Sequence, residues 1–152
     1  MEKILYTDLS EQDQQLVHKA REATFRAYAP YSHFYVGSAV LMDDGKVYTG
    51  SNQENASFPL CLCAEKLAIL YAKSQNPDQA VAAVAIVARN PKKDLKEPVA
   101  PCGACRQIIV ETEHRQKEGI LILLAADSEY VYRIQGSEEL LPLQFEGSVL
   151  GG

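Results

Sequence analysis

VAAVAIVA at residues 81–88, PCGAC at 101–105 and ILILLAA at 120–126 decide the architecture. The first and third are short, unbroken apolar runs, the pattern of strands buried on both faces. Between them Lys92, Lys93, Asp94, Lys96 and Glu97 mark a solvated loop. A helix is expected from near Gly103 to about Lys117, with Gly119 as its punctuation. Working outward, VGSAVLMDDGKVYTGSN (36–52) is two alternating stretches around Asp43-Asp44-Gly45, a hairpin signal because Asp-Gly suits a positive-φ turn. An amphipathic helix is expected from about Ser10, its N-cap, to Tyr28, with Leu16, Val17, Ala20, Ala23, Thr24 and Ala27 at helical spacing and Pro30 ending it. A further helix is expected over 64–74, a last strand over 130–134 and a helical turn over 137–141. The terminal GSVLGG is expected to fray. Helix, hairpin, then helix and strand in alternation specify an α/β fold, a mixed sheet of about five strands with helices on both faces.

The chain has 152 residues, the size of one domain, so a single unit over 1–152 is expected. Hydrophobic residues make up 47% and charged residues 23%, enough apolar material for a core and too much for a disordered chain. Twenty acidic against 15 basic residues give a net charge of −5, which works against binding nucleic acid, whose affinity needs many Lys and Arg on phosphates. The N-terminal residues lack a signal-peptide h-region, and no window resembles a membrane span; a cytoplasmic chain without a membrane partner is expected. In that reducing compartment four cysteines point to metal binding or catalysis rather than to disulfides.

Cys102 and Cys105 stand one turn apart at the start of a helix, a spacing open to a metal corner or a thioredoxin-type dithiol. Cys63 opens the other helix, so two helix N-termini can aim three sulfurs at one point. Three thiolates suit zinc with an open fourth position; a four-cysteine structural site that adds Cys61 is the alternative, with Cys61 otherwise a small buried residue. Glu65, in the first turn after Cys63, can shuttle protons beside such a metal, although alone it would read as an acidic residue favouring a helix start. A ligand, a nearby non-ligating Glu and a distant Pro-Cys-x-x-Cys form the zinc-deaminase pattern. None of His18, His33 and His114 falls where this chemistry needs one.

With these residues in place the chain resembles the small, three-cysteine, homotetrameric branch of the cytidine deaminase family. The likeness runs through APYSHFYVGSAV (29–40), GSNQENASF (50–58), CAE (63–65), PCGACRQ (101–107) and ELLPLQF (139–145). It implies a three-layer fold, one zinc ion per subunit on Cys63, Cys102 and Cys105, and Glu65 as proton shuttle. It further implies Asn52 and Glu54 as the ribose-binding pair, Phe34 lining the nucleoside pocket, the Ala64 backbone on the pyrimidine edge, and Phe145 lent by a neighbouring subunit. The implied reaction is hydrolytic deamination of cytidine and deoxycytidine, with release of ammonia, in pyrimidine salvage. Asn52 and Glu54, two apart on an extended segment, face one side, and a fixed carboxylate there repels phosphate, favouring a free nucleoside. Lys66 stands where the family's common pattern has Arg, and an ammonium cannot reproduce a planar two-pronged contact to two thiolates. Arg106 has two readings, compensation for that change or a surface residue near an acidic group. The competing functions are a deaminase for another aminonucleoside, such as a blasticidin-type antibiotic, a zinc-stabilised binding module, and a dithiol redox protein.

Overall fold

Ser10 caps the first helix as its sequence requires. In the computed structural model, which describes residues 1–116 and 118–150, Ser10 Oγ accepts the Asp13 N–H at 3.2 Å and opens α1 (Glu11–Ala23). Leu16, Val17, Ala20 and Ala23 form its buried stripe. The helix stops five residues short of the expected Tyr28, because Thr24 starts a 3-10 turn, Thr24–Arg26. Thr24 is buried; its hydroxyl donates to the Arg21 carbonyl at 2.7 Å and accepts Arg89 Nε at 3.0 Å, so a tertiary partner sets the helix end before Pro30 can.

The strands are β1 (Glu2–Leu5), β2 (Tyr35–Met42), β3 (Val47–Ser51), β4 (Val81–Arg89), β5 (Leu121–Ala125) and β6 (Tyr130–Gln135). They form one sheet of six, in the order β1-β6-β5-β4-β2-β3. The sixth is β1, absent from the sequence reading: EKIL is short and largely exposed, and becomes a strand by antiparallel pairing with β6, Glu2 opposite Arg133 through Leu5 opposite Tyr130. The β2–β3 hairpin turns at Gly45, whose φ of 83° is the left-handed value glycine adopts without cost. β4 and β5 run parallel, joined through α3 (Gly103–Gln116), while the remaining neighbours are antiparallel.

Alternation along the strands produces two cores. Ala39, Ala83, Ala85, Val87, Leu123 and Val131 meet α1 on one face. Val40, Val84, Ile86, Ile122, Leu124 and Ile134 meet α2 (Ala64–Gln75) and α3 on the other. Helices therefore cover both faces, and β4 and β5 are buried from both sides, which explains their unbroken apolar runs. The expected turn after β6 is present, with the Leu140 and Leu141 amides bonded to the Ser137 carbonyl at 2.9 and 3.0 Å. The expected helix end at Lys117 lies outside the described residues. Within the terminal segment expected to fray, Gly147–Leu150 forms a 3-10 turn, and residues 151–152 lie outside the described residues.

Candidate metal centre and pocket

Cys63 is the residue before α2, and Cys102 the residue before α3. Cys105 lies within the first turn of α3 and is buried. The two helix starts converge, and the sulfurs of Cys63, Cys102 and Cys105 lie within 4.8 Å of one another. Between Cys63 and Cys102 the separation is 3.9 Å. Tetrahedral ligands about 2.3 Å from zinc lie about 3.8 Å apart, so this spacing fits one ion and is far too long for a disulfide. Among the described residues no other group of His, Cys, Asp and Glu fits a metal ion.

Close packing fixes the corner. A methyl group on Gly50, in β3, would fall 2.6 Å from the Ala64 carbonyl and 2.8 Å from the Ala68 amide, so only glycine lets α2 sit this near the strand. Electrostatics leaves the corner needing a cation. The Cys105 thiol, hydrogen-bonded to the Cys63 sulfur, pulls the Cys63 pKa down to about 6, opposed by burial and assisted by Cys102 and the Lys66 cation. Cys105 is driven far up by that same hydrogen bond, then by burial and the Glu65 charge. The protein alone therefore favours the thiolate at Cys63 and the thiol at Cys105, whereas a bound dication favours the thiolate at every sulfur it holds. The donor set fits zinc, with helix N-termini offsetting part of the negative charge.

A pocket of about 340 Å³ opens beside the sulfurs. Glu65 lines it, is only 5% exposed, and has its carboxyl pKa raised by burial and then by the Cys63 charge. Ala64, also on the wall, is the first residue of α2, where backbone N–H groups lack helical partners. Phe34, Asn52 and Glu54, also expected at the site, line the same pocket. The Asn52 amide is partly committed: Oδ1 accepts the Val36 N–H at 2.8 Å and Nδ2 donates to the Phe34 carbonyl at 2.9 Å. One N–H and one lone pair stay available, and the two bonds hold Phe34 at the entrance of β2. Glu54 accepts the Ser32 hydroxyl at 2.5 Å and the Tyr31 and Ser32 amides at 2.9 and 3.3 Å. The Ser32 hydroxyl is the chief reason its pKa is lowered, and the carboxyl stays ionised.

Phe145 stands apart from this pocket, 58% exposed. Cys61 is exposed on the rim rather than buried, its sulfur accepting the Asn55 N–H at 3.2 Å, and it is not among the three clustered sulfurs. Lys66 is exposed. Among the described residues Arg106 bonds neither sulfur nor acid; it donates to the carbonyls of Pro101 and Leu140 at 2.9 and 2.8 Å. Ser32, Ile86, Ala88, Val99 and Ala100 also line the pocket and were missed. Alternation on β4 could have paired Ile86 with Ala88, whereas Ser32 gave no signal, its partner lying 22 residues away. The loop carrying Val99 and Ala100 is solvated as expected, yet Glu97 pins it, accepting from Lys3 Nζ at 2.7 Å and Tyr132 OH at 2.8 Å. A larger open cleft, about 870 Å³, lies along the far end of α3 and contains no cysteine.

Buried carboxyl, metal-fitting sulfurs and adjoining pocket agree with the comparison to known proteins: the model of the cytidine and deoxycytidylate deaminase zinc-binding region matches residues 10–118. The chain belongs to that deaminase family. It is 42% identical over 139 residues to a cytidine deaminase of Halalkalibacterium halodurans, spanning 87% of this chain and 92% of the relative. The crystal structure of a cytidine deaminase from Burkholderia pseudomallei superposes with a TM-score of 0.76 at 37% identity, over 90% of this chain and all 100% of that one. That of Mycobacterium tuberculosis superposes at 0.68 with 34% identity, over 91% of this chain and 99% of that one. The chain is an enzyme of this deaminase family, and its cofactor is zinc. Among the described residues no helix is long and apolar enough to cross a membrane.

Proposed function

We propose that the chain, as one catalytic domain over residues 1–152, hydrolytically deaminates cytidine and deoxycytidine to uridine and deoxyuridine with release of ammonia. The observation that carries this reading is Glu65, a buried carboxyl on the pocket wall, beside three sulfurs spaced for one ion. Cys63, Cys102 and Cys105 hold one zinc per subunit, which when bound supplies the Lewis acidity that activates water. Glu65 takes a proton from the attacking water and passes it to N3, then takes the proton of the hydroxyl added at C4 and passes it to the departing amine, leaving the C4 carbonyl and ammonia. Its raised proton affinity suits a group that must both accept and release at neutral pH. Ala64 offers its backbone to the pyrimidine edge, Phe34 an apolar face to the base, and Asn52 and Glu54 hydrogen bonds to the sugar.

The ionised Glu54 and the net charge of −5 both favour a free nucleoside over a nucleotide or polynucleotide. Assembly as a homotetramer, in which Phe145 reaches a neighbouring subunit's pocket, is supported by exposed rings at Phe25, Tyr28, Tyr31, Phe58 and Phe145. The setting that fits these features is the cytoplasm, with the enzyme serving pyrimidine salvage and touching no membrane. Ultraviolet absorbance of cytidine mixed with zinc-loaded protein tests the reaction, run beside Glu65→Gln of equal zinc content. Turnover by the wild type and a loss of about 10²–10⁴-fold in the variant are expected. Equal turnover by both would remove Glu65 from its role, and none by either would overturn the reaction.

A further inference from the structure

The motif PCGACRQ continues past its cysteines into Arg106 and Gln107, and both side chains leave the first turns of α3 for backbone carbonyls of other segments. Arg106 spans the Pro101 carbonyl, one residue before Cys102, and the Leu140 carbonyl. Gln107 Nε2 donates to the Phe145 carbonyl at 2.9 Å. The segment so held is irregular: Leu143 has a left-handed φ of 57°, and Leu143 and Phe145 project into solvent. Leu140 anchors one end in the core, and a Gln144–His114 contact at 3.0 Å adds to the Gln107 bond near the other.

We propose that Arg106 and Gln107 are positioning residues that clamp residues 140–146 onto the helix bearing Cys105, so that Phe145 is held at a fixed place relative to the cysteine corner. The proposal rests on assigning Phe145 to a neighbouring subunit's pocket. A guanidinium reaching two carbonyls makes charge-assisted bonds from one rigid plane, which ties the turn before Cys102 to the C-terminal segment in a way an ammonium cannot. Holding the segment in advance removes part of the ordering cost of placing an exposed ring against a bound nucleoside. The clamp therefore acts on substrate binding more than on chemistry.

The test uses zinc-loaded protein and two variants of Gln107. Gln107→Glu removes the donor at constant size, and Gln107→Leu removes it without adding charge. Both are expected to raise KM for cytidine about tenfold while leaving kcat within about twofold, the worth of one well-made hydrogen bond. Neither is expected to add to the KM of Phe145→Ala when combined with it, because both act through that ring. Additive effects, or a Phe145→Ala variant with unchanged KM, would overturn the presentation of Phe145. Backbone hydrogen exchange over 141–146 is read in the same proteins and is expected to quicken in both Gln107 variants. Unchanged exchange overturns the clamp whatever the activity, whereas a wild type that leaves cytidine intact instead overturns the deamination reading.

Discussion

The cysteine corner and the polar wall formed by Asn52 and Glu54 face one pocket, but they are completed in opposite ways. At the corner, sulfurs from two helix starts crowd within 4.8 Å, and the protein alone drives the proton affinities of Cys63 and Cys105 in opposite directions. At the wall, Glu54 collects three donors from Tyr31 and Ser32, and Asn52 bridges Phe34 and Val36, so its groups are held before any ligand arrives. A metal must finish the first region, whereas hydrogen bonds within the chain have organised the second. Metal loss should therefore disable the corner and spare the wall.

Cys105→Ser should break the comparison most severely, because it removes the most buried of the three sulfurs. Zinc measured by atomic emission should fall far below one per subunit and turnover should vanish, while the Glu54 titration followed by NMR stays in place. Gly50→Ala should show that the corner depends on packing. Its methyl group meets backbone of α2 from both Ala64 and Ala68, so a stability loss of about 1–3 kcal/mol is expected in thermal unfolding. Weaker zinc retention against a chelator should accompany it, since Cys63 moves with the helix.

Ser32→Ala strikes the wall alone. Removing the hydroxyl that does most to lower the Glu54 pKa should move that titration upward and raise KM by roughly tenfold, with zinc content unchanged. Because the folded carboxyl is depressed, its hydrogen bonds stabilise the wall above the ordinary carboxylate range and are lost as pH falls through the lowered value. In the variant that loss should begin at higher pH, which a KM profile against pH reads directly. The smallest change is expected from Ser38→Ala, on β2 two residues after Val36 of the pocket. Ser38 Oγ is buried and has no hydrogen-bond partner among the described residues, so its removal should stabilise by about 1 kcal/mol, seen as a Tm a few degrees higher.

Local chemistry was legible in the sequence wherever one element carried it. The Ser10 cap, the Gly45 turn, the two apolar runs of β4 and β5 and the helices opening at Cys63 and near Cys102 all follow from residues close in the chain. Features set by distant partners were not legible. β1 exists through β6, α1 ends where Thr24 meets Arg89, and Cys61 lies exposed because its sulfur turns to Asn55. Arg106, read as a charge in search of thiolates or an acid, instead found two carbonyls, one of them 34 residues away.

By itself the sequence determined the α/β class, the three cysteines and carboxyl suited to zinc chemistry, and the family resemblance, because each rests on residue type, spacing or helix and strand period. Tertiary structure alone decided that the three sulfurs meet at ion-binding distances and that Cys61 stays outside their cluster. It also decided that Glu65 is buried, which raises its proton affinity, and that the C-terminal segment rests on α3. The reason is physical: spacing fixes which side chains share an element, but distance, burial and proton affinity arise only when separate elements pack against one another.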